Sequence, residues 1–266
     1  MKTLTVAIQK GGQGKTCLTC HLAFDAYERL KKRVLVIDLD TQCNTSFTLE
    51  AHASGVLASE LFGDKAPEIR ERLLQRRQQA SNSDPSGIAT LDLLSADLDL
   101  INIRKLPGMD AARRLYEGLR NLDDLYDVCL IDTPPSLEEV MLAAGFASDY
   151  IVSPVELETY SMMGLKTMMS MITRIRKLKP DLTFLGVLPN MVDGRLPRHL
   201  ENLNSLRKSK SLGDYVIPLT IGLRSSISEA LSNQQPVWNI RKTSARAATH
   251  EIHKVADHLF KRMGVA

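Results

Sequence analysis

The most constraining feature of the chain is Lys10-Gly11-Gly12-Gln13-Gly14-Lys15-Thr16, set between the apolar run Leu4–Ile8 and a helical pattern starting at Cys17. Glycines let successive backbone N–H groups curl around an oxyanion, and the positive end of the following helix adds to the attraction. The last two loop positions suit a polyphosphate: Lys15 reaches the β- and γ-phosphates, and the Thr16 hydroxyl ligates Mg²⁺. The strict spacing G-x-x-x-x-G-K-[ST] asks for glycine where this chain has Gln9. One position departs; the strand before and the helix after do not.

Acidic residues stand where such a loop needs them. Val34–Ile37 runs into Asp38-Leu39-Asp40, and Val128–Ile131 runs into Asp132-Thr133-Pro134-Pro135. In an open α/β sheet, ligands collect beyond the carboxyl ends of the strands. A magnesium-bound triphosphate there requires hard oxygen ligands and a carboxylate that orients an attacking water. One such acid could simply cap the next helix. Three of them beside a glycine loop form a constellation.

The runs Leu91–Leu94, Tyr150–Val152, Phe184–Leu188 and Tyr215–Ile217 extend the series. Several are continuously apolar, as strands covered on both faces are. Helical stretches such as Cys17–Leu30 and Met162–Leu178 lie between them. This alternation predicts a doubly wound α/β fold, a mostly parallel sheet with helices on both faces. The polar stretch Gln78–Gly87 follows a basic helical pattern beginning near Pro67 and reads as a surface insertion, so residues 1–266 are expected to form one domain. No run approaches the roughly 18 apolar residues of a membrane span, the start MKTLTVAIQKGG lacks a signal-peptide layout, and four cysteines are too few for a disulfide scaffold. A cytoplasmic protein is expected. Cys17-x-x-Cys20 reads as small residues packing a helix on the sheet, since no second pair completes a metal site.

With those segments in hand, the chain resembles the deviant Walker A ATPases of the ParA/MinD family over nearly its whole length. KGGQGKT resembles that family's phosphate loop, opened by a signature lysine. DLDTQCN resembles its DxDPQGN switch segment, LIDTPPS its Walker B segment, and GVLPNMVDGR and VIP its nucleotide-base and late-strand segments. ISEA followed by a basic C-terminal helix resembles the ParA branch.

The resemblance implies a P-loop NTPase fold with ATP and Mg²⁺ as cofactors, and an ATP-sandwiched homodimer with weak hydrolysis stimulated by a partner. Lys10 then matches the lysine that reaches across the dimer to the partner's phosphates, a role that suits charge developing on the γ-phosphate. Gly11, Gly12, Gln13, Gly14, Lys15 and Thr16 match the phosphate cradle, with Cys17 where the family often has a second Thr or Ser. Asp40 matches the carboxylate that positions water, Asp38 and Asp132 match outer-sphere magnesium groups, and Asn190 and Pro218 line the adenine. Departures are Gln13 for the usual valine, Thr41 for proline and Cys43 for glycine.

Charge is uneven. Residues 1–173 hold 18 basic and 24 acidic side chains (−6), whereas residues 174–266 hold 16 and 7 (+9). A basic final third points to an anionic partner. By the resemblance that partner is duplex DNA bound without sequence preference, with Arg224, Arg241, Lys242 and Arg246 as contacts and a ParB-like or other adaptor as the stimulating protein. No helix-turn-helix precedes the first strand, so operator recognition is not expected. The reading is a nucleoid-associated ParA-like ATPase that positions or segregates a cargo.

Two other classes compete. A MinD-like membrane switch would need the amphipathic helix expected over Ser244–Met263 to be exposed, whereas its spacing also fits a helix packed on the sheet. A metabolic ligase on the same fold, as in dethiobiotin synthetase, has no use for the cross-dimer lysine.

Overall fold

The computed structural model describes residues 1–63, 66–83, 89–106, 109–135 and 138–266. Seven parallel strands make one sheet: β1 Lys2–Val6, β2 Arg33–Asp38, β3 Ala53–Leu57, β4 Thr90–Ser95, β5 Val128–Asp132, β6 Tyr150–Glu156 and β7 Thr183–Asn190, in the order β3-β4-β2-β5-β1-β6-β7. The central strands are apolar on both sides because helices cover both faces. Leu4, Val34, Val36 and Leu130 point to one layer, containing α1 (Lys15–Phe24), α8 (Ser225–Ser232) and α9 (Thr243–Met263). Leu35, Ile37, Cys129 and Ile131 point to the other, containing α4 (Asp110–Arg120) and α5 (Glu138–Ala147). On that same side, α6 (Thr159–Leu178) and α7 (Pro197–Arg207) cover β6 and β7.

Two expectations from the sequence are corrected, and the structure adds one strand that the sequence does not signal. Strand β3 was not read, because Ala-Ser-Gly-Val-Leu is a short edge segment with a register irregularity and no apolar run. Tyr215–Ile217 is not a ladder strand. Gly186, at φ +133°, lets this segment lie against β7, where a Cβ would stand 2.3 Å from the Tyr215 carbonyl oxygen. Pairing there amounts to the Val187–Val216 bridge and an Ile217 N–H to Val187 carbonyl bond of 2.9 Å, after which Pro218 has no N–H to offer. The helix α3 spans Ala66–Ser83, so the first part of the expected insertion is helical, and residues 84–88 lie outside the described residues.

The helix after the glycine loop is anchored at its far end. Past Phe24, α1 continues into a wider π-type turn over Asp25–Arg29. There the fully buried Asp25 carboxylate receives Arg29 Nε and Nη2, both at 2.9 Å, and pairs with His253 Nδ1 of α9 at 2.6 Å. Trp238 donates Nε1–H to Glu28 at 2.7 Å, and the fully buried His21 accepts the Val237 N–H at Nε2, 3.3 Å, while Nδ1 faces the Cys17 carbonyl at 2.8 Å. Loop, helix and C-terminal layer form one packed body. Cys17 and Cys20 lie in its core, as small residues packing a helix on a sheet.

Burial pushes the His21 imidazole down to about 4. An unfolded chain takes up this proton near the ordinary value of 6.5, so folding stability is undiminished above that pH and falls as pH drops toward 4, by roughly 3 kcal/mol in total. Denaturant unfolding at pH 7 and pH 4.5 should show a smaller pH-dependent loss for His21→Gln than for the parent chain.

Candidate functional site

The loop between β1 and α1 opens into a cavity of about 600 Å³ at the carboxyl end of the sheet, lined by Gly11–Cys17 on one side and by Asp40, Gln42 and Asn44 on another. Gly12 and Gly14 hold left-handed backbone at φ +71° and +80°, and a Cβ on Gly14 would lie 2.2 Å from Asn190 Nδ2. Gly12 is therefore required by conformation, and Gly14 by both conformation and close approach. Gln13 does more than lend its backbone. Its side chain is buried, its Oε1 accepts the Glu156 N–H at 2.9 Å, and its carbonyl accepts Asn190 Nδ2–H at 2.8 Å. The cradle is thus bolted to the ends of β6 and β7, and the β6 bond is made by the side chain, which a valine at this position could not supply.

Lys15 is buried, with Nζ 3.4 Å from the Lys10 carbonyl. Burial lowers its ammonium from the ordinary value, while the charges of Asp132 and Asp40 oppose that shift. A charged lysine in so dry a setting gains most from an anion placed beside it. Lys10 is half-buried at the loop entrance, where its charge also acts on Glu158 at the start of α6.

Behind the loop, Asp38 and Asp132 are register neighbours at the ends of β2 and β5, both buried. Asp132 Oδ2 accepts the hydroxyls of Thr16 and Thr45, each at 2.7 Å, whereas Oδ1 is buried with no hydrogen-bond partner. Desolvation raises the proton affinity of both carboxyls, and the proximity of Asp132 raises that of Asp38 further. An orphaned carboxylate oxygen, a threonine hydroxyl and a second carboxylate are a hard-oxygen donor set that fits a divalent cation such as Mg²⁺. Asp38 has a second task. Its Oδ1 accepts the Asp40 N–H at 3.0 Å, and its Oδ2 accepts both N–H and hydroxyl of Ser46, at 2.8 and 2.7 Å. It folds the switch turn back on itself. Cys43 takes the left-handed conformation at φ +57° in place of the usual glycine, so the turn survives that departure.

Asp40 is half-buried on the cavity wall, with its Oδ1 accepting the Gln42 N–H at 3.0 Å. Thr45 and Ser46, in the short helix α2 (Asn44–Thr48), were not singled out from the sequence. Their only signal is position directly after the switch segment, since isolated hydroxyl residues carry no pattern. Two readings change. Pro218 is exposed and does not line the cavity, because the chain returns to it only at Gly222, which bridges Val192. Asn190, Met191, Gly222 and Leu223 form that wall of the cavity instead. Arg224 also lines the cavity and is ion-paired with Glu251 at 2.5 Å, whereas Arg241, Lys242 and Arg246 are exposed around the first turn of α9. Lys242 pairs with Glu229 at 2.6 Å.

Sheet order, glycine cradle and strand-end carboxylates define a P-loop nucleoside-triphosphatase. A family model described as an AAA domain matches residues 1–184. IncC of Escherichia coli is 48% identical over all of this chain, which spans 71% of that protein. The chromosome-partitioning ATPase Soj of Thermus thermophilus is 32% identical over 99% of this chain and 97% of that one. A Cyanothece McdA–ATP complex superimposes with a TM-score of 0.74 at 22% identity, covering 97% of this chain and 96% of that one. The chain belongs to the ParA/MinD family of partition and positioning ATPases, on its ParA branch.

Lys15→Ala is expected to abolish triphosphate binding and turnover, measured by nucleotide titration and phosphate release. Thr45→Val, which leaves Asp132 Oδ2 one donor short, should lower turnover at least about tenfold. Thr45→Ser should retain most of the parental rate.

Proposed function

We propose that this chain is a ParA-type positioning ATPase that binds Mg²⁺–ATP, closes into an ATP-sandwiched homodimer and, as that dimer, binds duplex DNA without sequence preference. The observation that carries the reading is the buried Asp132 carboxylate with one oxygen unpartnered, beside Thr16 and behind a cradle ending in buried Lys15. Thr16, with Asp38 and Asp132 behind it, would hold the magnesium, which supplies charge neutralisation across the phosphates. Lys15 and the loop N–H groups bind and orient the triphosphate. Asp40, on the cavity wall and set by the Asp38 clamp, holds the attacking water. Lys10 acts on the partner protomer's phosphates, which links dimerisation to nucleotide.

For DNA, support comes from Arg241, Lys242 and Arg246, exposed together where α9 begins. Contacts of this kind go to phosphates and are independent of sequence. A ParB-like or other adaptor stimulates hydrolysis, and the protein works in the cytoplasm on the nucleoid, moving a plasmid, a chromosome region or a protein assembly. A MinD-like membrane role is less well supported. The apolar residues of α9, among them Ile252, Val255, Leu259, Phe260 and Met263, are buried against the body. Among the described residues no helix is long and apolar enough to cross a membrane.

Binding to random-sequence duplex DNA with ATP, with ADP and without nucleotide, at two salt concentrations, tests the proposal. Salt-sensitive binding confined to ATP is expected; no binding in any state would overturn it, and liposome binding would then test the membrane reading. Asp40→Ala should still bind ATP and should accumulate as dimer by light scattering, because water positioning alone is lost. Arg246→Glu should lower DNA affinity roughly tenfold and flatten the salt dependence by about one ion while the dimer forms normally.

A further inference from the structure

Arg224 borders two cavities. Besides the nucleotide cavity, it lines a polar one of about 530 Å³ together with Asp193, Arg195, Gly222, Ser225 and Ser244. Both arginines of this second cavity are engaged by carboxylates of the same chain. Arg195 forms a two-point pair with Asp193 at 2.9 and 2.8 Å, but its side chain is 87% exposed, so solvent screens the pair and exchange is easy. Arg224 is held differently. Its Nη2 and Nε donate to the two oxygens of Glu251, on α9, at 2.5 and 3.3 Å, and the same carboxylate accepts the Gly222 N–H at 2.9 Å. Both side chains of this pair are under one-third exposed. A Cβ on Gly222 would lie 3.2 Å from Nη2 and 3.3 Å from Glu251 Oε2, so the pair packs flat against the glycine.

A carboxylate and a phosphodiester present the same two-oxygen edge to a guanidinium fork, and they compete for the same N–H groups. The segment that carries Arg224 also lines the nucleotide cavity. Ile221 and Leu223 donate their N–H groups to the Pro189 and Val192 carbonyls, each at 3.1 Å, which fixes this strip beside Asn190 and Met191.

We infer that Glu251 is an internal competitor for DNA phosphate: its carboxylate occupies the Arg224 guanidinium, and duplex DNA gains Arg224 as a contact by displacing it. The polar cavity beside Arg195, Ser225 and Ser244 is the seat for the incoming phosphodiester. Nucleotide contact with the Gly222–Leu223 strip is positioned to shift the balance between the two anions, because the strip carries one donor of the Glu251 clamp and part of the nucleotide-cavity wall together. This inference rests on the DNA-binding reading above.

The test uses the full chain and a fluorescent random-sequence duplex, with ATP and without nucleotide. Glu251→Gln keeps an acceptor for the Gly222 N–H and removes the competing charge. With ATP it should bind DNA roughly tenfold more tightly than the parent, equivalent to one strong charge-assisted pair, and without nucleotide it should show binding that the parent lacks. In an Arg224→Ala background the same substitution should change affinity by no more than about twofold, the effect of one surface charge. Unchanged affinity in Glu251→Gln, while the parent binds with ATP, would overturn the inference and leave the DNA-binding reading intact. An equal gain in the Arg224→Ala background would overturn it too, showing a general charge effect. Failure of both parent and variant to bind in every state would remove the DNA-binding reading itself.

Discussion

Two carboxylates placed side by side at the ends of neighbouring parallel strands, Asp38 on β2 and Asp132 on β5, set the terms for the nucleotide site. Burial and mutual repulsion make each costly to keep charged, and the surrounding structure is arranged around their oxygens. Thr16 from the loop helix and Thr45 from the switch helix meet on one oxygen of Asp132. Asp40 and Ser46 are folded onto Asp38. Loop and switch are joined through these acids. The one oxygen of this pair left without a hydrogen-bond partner, Asp132 Oδ1, would be available to a bound Mg²⁺.

The same economy joins more distant parts. Ser46 Oγ, which donates to Asp38, also accepts the Ala96 N–H at 2.8 Å, so the switch is tied to the chain after β4. Gln13 joins the cradle to β6 and Asn190 joins it to β7. The π-type turn at Asp25–Arg29 joins the loop helix to α9 through His253 and Asp257. Packed side chains and ion pairs thus run from the loop helix to the C-terminal layer on which Arg241, Lys242 and Arg246 stand.

Legibility in the sequence followed the strength of local patterns. The glycine loop, Asp38, Asp40 and Asp132 were readable because a phosphate site needs particular residue types at fixed offsets from strand ends. The central strands were readable because burial on both faces leaves continuous apolar runs, and α9 emerged within a residue of its bounds from the spacing of Ile252, Val255, Leu259 and Met263. Edge strand β3 carried no such run, and Tyr215–Ile217 looked like a strand although its ladder stops at Pro218. Thr45, Ser46 and the Gln13 side chain were silent, since one hydroxyl or amide has no periodicity and its role depends on what folding brings opposite it.

The sequence by itself determined the fold class, the phosphate loop and the acids that serve it, because these are properties of short segments with strict spacing. Tertiary structure alone decided which late residues line the cavity, what Arg224 faces and where the apolar side of α9 goes. Those outcomes depend on contacts between segments far apart in the chain, such as Gly222 against Val192 and Arg224 against Glu251. A charge that reads as an exposed cation in one dimension becomes a paired one when a distant helix sets a carboxylate beside it.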